Sequence, residues 1–257
     1  AKVLVYSGRL DLDVRRRILE TAQLVFDVTD EGAFDPGGRG VRTVQKVRLM
    51  HATLRHLTLA QGRWDMADGL PINQEDLAAT LMCFSTVILA ALDRSSLAVT
   101  ADERAAWMHL WKVVGALLGI APALLPVDEA DGKALMDAVR RRHWSASPQG
   151  ATLGRALVSC MADYMPAPWL QRLPVALIRH LGGDRCADLL GLPPSSLPAL
   201  LVEAAGDLLG AAGPGDRGDP LLCALDRFSA ALMKALVSVQ RGGKQAPFRI
   251  PASLRST

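Results

Sequence analysis

Apolar residues recur at spacings of three and four along most of this chain, a pattern typical of amphipathic α-helices. It predicts a first helix from about Asp11 to Asp30 and a second from about Val41 to Ala60, separated by a Gly-rich break. A third helix, apolar on all sides, is predicted to begin after Asn73, which with Asp76 forms a plausible N-terminal cap. The remaining predicted helices lie at about 101–118, 129–143, 152–164, 169–181, 197–209 and 221–240.

The pattern contains no β-type alternation longer than a few residues and no internal repeat. Half of the chain is apolar, and aromatic residues make up only 5% of it. Leu and Ala dominate, and these are good helix formers. We therefore expect one all-α domain over residues 1–257, in which 1–126 form a core with the candidate functional residues and 127–257 form a helical C-terminal part.

Charge and motifs make several classes of function less plausible. The net charge of +3 is small and the Arg residues are spread out, so nucleic acid is not expected as a partner. The sequence contains no His-Glu-x-x-His, phosphate-binding loop or serine nucleophile motif. The cysteines match no zinc or iron–sulfur spacing, and we interpret them as reduced thiols. They are Cys83, Cys160, Cys186 and Cys223.

The N-terminus of the chain and its most apolar segment give little information about cellular localisation. Leu77–Leu92 is shorter than the roughly 20 residues that a membrane span needs, so no transmembrane segment is expected. The chain begins at Ala1 rather than Met, and Lys2–Gly8 does not resemble a signal peptide. We expect that an N-terminal part is missing, and the sequence predicts neither localisation nor oligomeric state.

His51 is the most promising candidate for chemistry. With 3.6 residues per turn, it lies in the middle of the apolar face of the second helix, and His56 lies on the opposite side. The other members of that face are Val44, Val47, Leu54 and Thr58. A buried imidazole needs a partner for its ring nitrogens. Iron is one possible partner, and a backbone carbonyl in an ordinary core is the other.

The first helix offers weaker candidates. Thr21 is predicted at the centre of its apolar face, Arg17 at the edge, and Glu20 well to the side. A buried threonine often bonds to a helix carbonyl without any further role. Arg17 follows Arg15 and Arg16, so an ordinary charged face explains it equally well.

Three stretches in this order resemble one known family. They are Arg15-Arg-Arg-Ile-Leu-Glu-Thr21, Lys46-Val-Arg-Leu-Met-His-Ala-Thr-Leu-Arg-His-Leu57 and Gly69-Leu-Pro-Ile-Asn-Gln-Glu-Asp-Leu77. Met108-His-Leu-Trp-Lys-Val-Val-Gly115 continues the likeness. The chain thus resembles the latex-clearing proteins (rubber oxygenases) and their relatives of the mycophenolate-pathway oxygenase type. The resemblance covers about Gly8 to Tyr164.

The resemblance implies a globin-like helical core, with additional helices, that holds a non-covalent haem b. It implies that His51, in the Met-His-Ala motif, is the ligand to the haem iron. It also implies that Arg17 and Thr21 line the distal side of the haem as cofactor-binding and catalytic residues. Members of the family cleave C=C bonds of polyisoprene or isoprenoid chains with dioxygen. This chain is therefore expected to be a haem-dependent dioxygenase acting on an apolar, unsaturated substrate.

One departure from the family pattern concerns the substrate. Glu20 stands where rubber-cleaving members have Lys. The haem inference is unaffected, but cleavage of rubber itself is in doubt. Two alternatives stay open: a haem-binding sensor or carrier without turnover, and a helical ligand-binding protein that has lost haem.

Overall fold

The computed structural model describes residues 2–6, 14–62, 64–95, 98–163 and 171–195. Every regular element among them is helical, which confirms the all-α prediction for this part of the chain. Short 3₁₀ turns at Met66–Asp68 and Pro122–Leu124 lie in the connections. The α-helices are α1 (Lys2–Tyr6), α2 (Val14–Thr29), α3 (Arg39–Ala60), α4 (Gln74–Phe84), α5 (Thr86–Arg94), α6 (Ala101–Leu118), α7 (Glu129–His143), α8 (Pro148–Ala162), α9 (Leu173–Gly182) and α10 (Asp184–Leu189). The predicted helices at 197–209 and 221–240 lie outside the described residues.

Strong periodicity predicted the longer helices well. The bounds of α6 and α7 agree with the prediction residue for residue, and those of α2 and α3 agree within three residues. The single helix predicted after Asn73 is wrong, because the chain breaks at Ser85 into α4 and α5. The Ser85 hydroxyl donates to the Leu81 carbonyl oxygen at 3.0 Å, a back-bond that often bends a helix.

The core lies among α2 to α7. Its largest fully buried side chain is Trp111 on α6, which stacks on Phe84 with ring centroids 4.9 Å apart. Val44 of α3 and Leu81 of α4 belong to the same cluster. A smaller cluster, around Val175, Ala187 and Leu192, joins α8, α9 and α10. Cys83, Cys160 and Cys186 are free thiols, as predicted, whereas Cys223 lies outside the described residues.

The apolar segment of α4 and α5 is longer than the sequence pattern predicted. Gln74–Arg94 spans 21 residues, and length and composition alone would allow it to cross a membrane. It also supplies several buried members of the protein core, including Leu77, Leu81, Met82 and Leu89.

A buried carboxylate holds α2 against α3. Asp27 of α2 accepts hydrogen bonds from Gln23 at 2.7 Å and from Thr43 of α3 at 2.6 Å. At Gly40, in the first turn of α3, a Cβ atom would lie 2.8 Å from the Ala33 carbonyl oxygen and 3.0 Å from that of Asp27. Only glycine allows this close backbone approach. These contacts fix the two helices that carry the candidate site.

The cap predicted at Asn73 is confirmed. The Asp76 amide donates to the Asn73 side-chain oxygen at 2.9 Å, and the Asn73 amide donates to the Asp76 carboxylate at 3.2 Å. We expect Asn73→Ala to lower the free energy of unfolding by about 1 kcal/mol, measured by urea denaturation. Asn73→Ser, which retains an acceptor, should lose less. Equal losses in both variants would show that the cap does not stabilise α4.

Candidate functional site

The α3 face predicted around His51 turns inward in the structure. Val44, Leu54 and Thr58 are buried, and His51 between them is partly buried. His56 is exposed, as the helical spacing predicted. The His51 ring nitrogens form no hydrogen bond to any other described residue. The bonded core histidine considered from the sequence therefore has no visible partner in this part of the chain.

The environment of His51 keeps its imidazole neutral. Burial and, to a smaller extent, the positive charges of Arg17 and Arg55 together lower the pKa of His51 to about 4. At neutral pH the ring therefore carries a free nitrogen lone pair. A neutral imidazole is the form that binds iron.

Arg17 is the predicted site residue that the structure brings into the electrostatic environment of His51. It lies on α2, which packs along α3. Burial lowers the pKa of Arg17, while the nearby Glu20 carboxylate partly offsets this effect. Glu20 itself accepts a hydrogen bond from Arg16 Nε at 2.9 Å, so its carboxylate forms an ion pair within α2.

The burial expected for Thr21 is not found. Thr21 is exposed rather than buried, and its hydroxyl donates to the Arg17 carbonyl oxygen at 2.9 Å. The fully buried residues of α2 are Asp27 and Val28, near its C-terminal end. Periodicity gave the direction of the apolar face, but it could not show how much of the N-terminal half of that face other residues cover. Ile18 on the same half is 38% exposed.

Arg55 is a residue near the site that sequence reasoning missed. It lies one turn after His51 on α3, and it donates to the carbonyl oxygens of Pro71 at 3.2 Å and Ile72 at 2.7 Å. Ile72 adopts a φ of 53°, in the left-handed region that non-glycine residues rarely use. Arg55 thus joins α3 to a constrained loop. Its position four residues after His51 was the available signal.

The described residues contain no group of three or more His, Cys, Asp or Glu side chains that could hold a metal ion. A site that relied on several protein ligands is therefore not present in this part of the chain. A metal held chiefly by a macrocycle needs only one protein nitrogen, and His51 offers one. The neutral, unbonded imidazole beside Arg17 fits such a group.

The comparisons with known proteins agree with this helical arrangement. Residues 2–211 match the family described as ER-bound oxygenase mpaB/B'/rubber oxygenase, catalytic domain, so the chain belongs to this family of oxygenases. It is 27% identical over 212 residues to the rubber oxygenase of Streptomyces sp. (strain K30), covering 80% of this chain and 51% of that protein. The chain thus spans about half the length of this curated relative.

A solved structure shows the same similarity in three dimensions. The structure of latex clearing protein LCP in the closed state aligns with a TM-score of 0.74 and 26% sequence identity. The alignment covers 97% of this chain and 68% of that one. The predicted family is confirmed.

The low pKa of His51 predicts an acid-sensitive fold. As the pH falls below about 6.5, the unfolded imidazole takes up a proton, while the folded one resists protonation down to about 4. The unfolded state then binds more protons, so stability falls as the pH decreases through this window and is fully present above it. Between about pH 7 and about pH 4.5, we expect the free energy of unfolding of the haem-free protein to fall. The fall should exceed that of His51→Gln by on the order of 1 to 3 kcal/mol. Urea unfolding at the two pH values measures the difference, and equal losses would contradict the burial of a neutral His51.

Proposed function

We propose that this chain is the haem b-binding catalytic core of an oxygenase that cleaves C=C bonds of an apolar, isoprenoid-like substrate with dioxygen. The observation that carries the proposal is His51, a neutral and partly buried imidazole without a hydrogen-bond partner among the described residues. Membership of an oxygenase family supports it. In this proposal the helices form a globin-like core within a single domain.

Each candidate residue has a defined task in this proposal. Haem, when bound, supplies the iron that activates dioxygen. His51 would supply the nitrogen ligand that holds the haem. Arg17 would present N–H donors and a positive charge near the haem, since it acts electrostatically on His51 and a guanidinium stays charged at neutral pH. The Thr21 hydroxyl donates to the Arg17 backbone carbonyl and thereby leaves its oxygen free to accept a further hydrogen bond.

An apolar side chain beside Arg17 supports an apolar substrate. Ile18 lies on the same face of α2 as Thr21 and is 38% exposed. An alkene chain gains free energy when it leaves water for contacts of this kind. Rubber cleavage itself is not part of the proposal, because Glu20 replaces the family's Lys.

The full-length protein, reconstituted with haem, tests the proposal. A Soret absorption band followed by oxygen uptake with a squalene-like or polyisoprene substrate is the expected result. A Soret band without oxygen uptake would indicate a haem sensor or carrier and contradict the oxygenase. Absence of the band would contradict every haem-based function.

Glu20 is expected to stay away from the iron. Its carboxylate is already bonded to Arg16, and a carboxylate is a weaker ligand for haem iron than an amine in this position would be. We therefore expect the resting spectrum to show five-coordinate or water-bound haem and to be the same in Glu20→Ala. A spectrum that changes on removing Glu20 would place its carboxylate on or near the iron.

A further inference from the structure

A cavity of about 320 Å³ lies away from the two helices of the candidate site. It is formed by α5, by the end of α7, and by α9 and α10, and no residue of α2 or α3 lines it. Its volume is at the lower end of the range found for small-molecule sites. Its lining residues are Arg94, Asp137, Arg140, Arg141, Trp144, Gly182, Arg185 and Cys186.

The lining carries an excess of positive charge. Four arginines meet one carboxylate, that of Asp137, which accepts from Arg140 Nη1 at 3.1 Å. Arg141 and Arg185 are exposed and form no hydrogen bond or ion pair to another described residue. Like charges that converge on one cavity repel each other unless an anion lies between them.

Helix dipoles alone do not explain this arrangement. They favour Arg140 and Arg141 in the last turn of α7. They do not favour Arg185, which lies in the first turn of α10, where the dipole disfavours a cation. Convergence of guanidinium groups from three separate helices therefore calls for another reason.

Arg140 is held in place by its neighbours, but some of its N–H donors have no acceptor among the described residues. Its guanidinium lies 4.9 Å from the Trp144 ring centroid. Its Nε is shielded from solvent and has no hydrogen-bond partner among the described residues. Water cannot reach this Nε, so a ligand in the cavity would bond to Arg140 through its Nη atoms, of which Nη2 forms no hydrogen bond to another described residue. Arg94 is already engaged, since it donates from Nε to the His180 carbonyl oxygen at 2.9 Å and from Nη2 to that of Leu181.

We propose that this cavity binds a small dianionic oxyanion of the phosphate or phosphate-monoester class. The free N–H donors of Arg140, Arg141 and Arg185 outnumber the hydrogen bonds that one carboxylate can accept. Phosphate, in contrast, accepts paired N–H donors from several arginines. The excess of three positive charges also matches a dianion better than a neutral ligand. This site does not depend on haem or on the proposed oxygenase activity.

Isothermal titration calorimetry with inorganic phosphate, at constant ionic strength, tests the site in the full-length protein. We expect saturable binding with a Kd below about 1 mM. The double variant Arg141→Gln/Arg185→Gln should weaken binding at least about tenfold, because it removes two charged donors. The matched control, Arg39→Gln/Arg155→Gln, removes the same charge from exposed positions outside the cavity and should bind as the unaltered protein does.

A second probe and a second variant complete the test. Glycerol phosphate should bind at least as tightly as inorganic phosphate if monoesters belong to the ligand class. Arg140→Lys keeps the charge but loses the paired Nη donors, so it should also bind phosphate several-fold more weakly, even if the double variant fails to fold. Absence of saturable binding, or equal weakening in the cavity and control double variants, would overturn the proposal. Phosphate titration of the haem-free and the haem-loaded protein distinguishes a failure of the proposed phosphate site from a failure of the proposed oxygenase activity.

Discussion

Replacing His51 with alanine is expected to abolish stoichiometric haem binding. In the proposed function this neutral, partly buried imidazole is the nitrogen ligand that α3 presents to the haem iron. The measurement is the Soret absorbance per chain after reconstitution of the full-length protein and removal of unbound haem. Far-ultraviolet circular dichroism of the same samples shows whether the helices have formed.

The matched control for this experiment is His56→Ala. His56 lies five residues further along the same helix and is exposed, so its removal should leave haem content unchanged. Added imidazole should restore part of the haem binding in His51→Ala if only the ligand has been lost. Equal haem content in the two variants would disprove the assignment of His51.

Helix periodicity predicted most of the described fold because it records burial on one side of a regular element. Helices α6 and α7 carry clear caps and a long repeating pattern, and their bounds were predicted correctly. The short helices α1 and α10 were missed, since five or six residues contain too little periodicity to detect. The break at Ser85 was missed for another reason: the apolar pattern continues across Ser85 from α4 into α5, so periodicity alone does not separate the two helices.

The candidate site was predictable only in part. The spacing of apolar residues correctly directed His51 inward and His56 outward. The low pKa of His51 and its link to Arg17 depend on how α2 packs along α3, which the sequence of either helix alone does not contain. For Thr21, the spacing described a face, but burial requires something to cover that face. Arg55 was missed because its role lies in bonds to the loop at Pro71 and Ile72.

Replacing Arg17 with alanine is expected to leave haem bound but to slow turnover by on the order of 100-fold, the effect of removing one oriented donor from a reaction centre. In the proposed function His51 holds the haem, whereas Arg17 contributes charge and N–H groups. The measurements are haem content and the rate of oxygen uptake for the reconstituted full-length protein. Arg15→Ala, an exposed position on the same helix, is the control and should turn over normally.

A readout that requires neither haem nor substrate tests the same arrangement. The positive charge of Arg17 is one cause of the low pKa of His51, so Arg17→Ala should raise the pKa of His51 above about 4 in the haem-free protein. Arg15 does not contribute to this shift, so Arg15→Ala should leave the pKa of His51 where it is. Histidine titration by NMR measures both variants. If the pKa of His51 is the same with and without Arg17, the two residues do not share a site, and normal turnover in Arg17→Ala would remove its catalytic role.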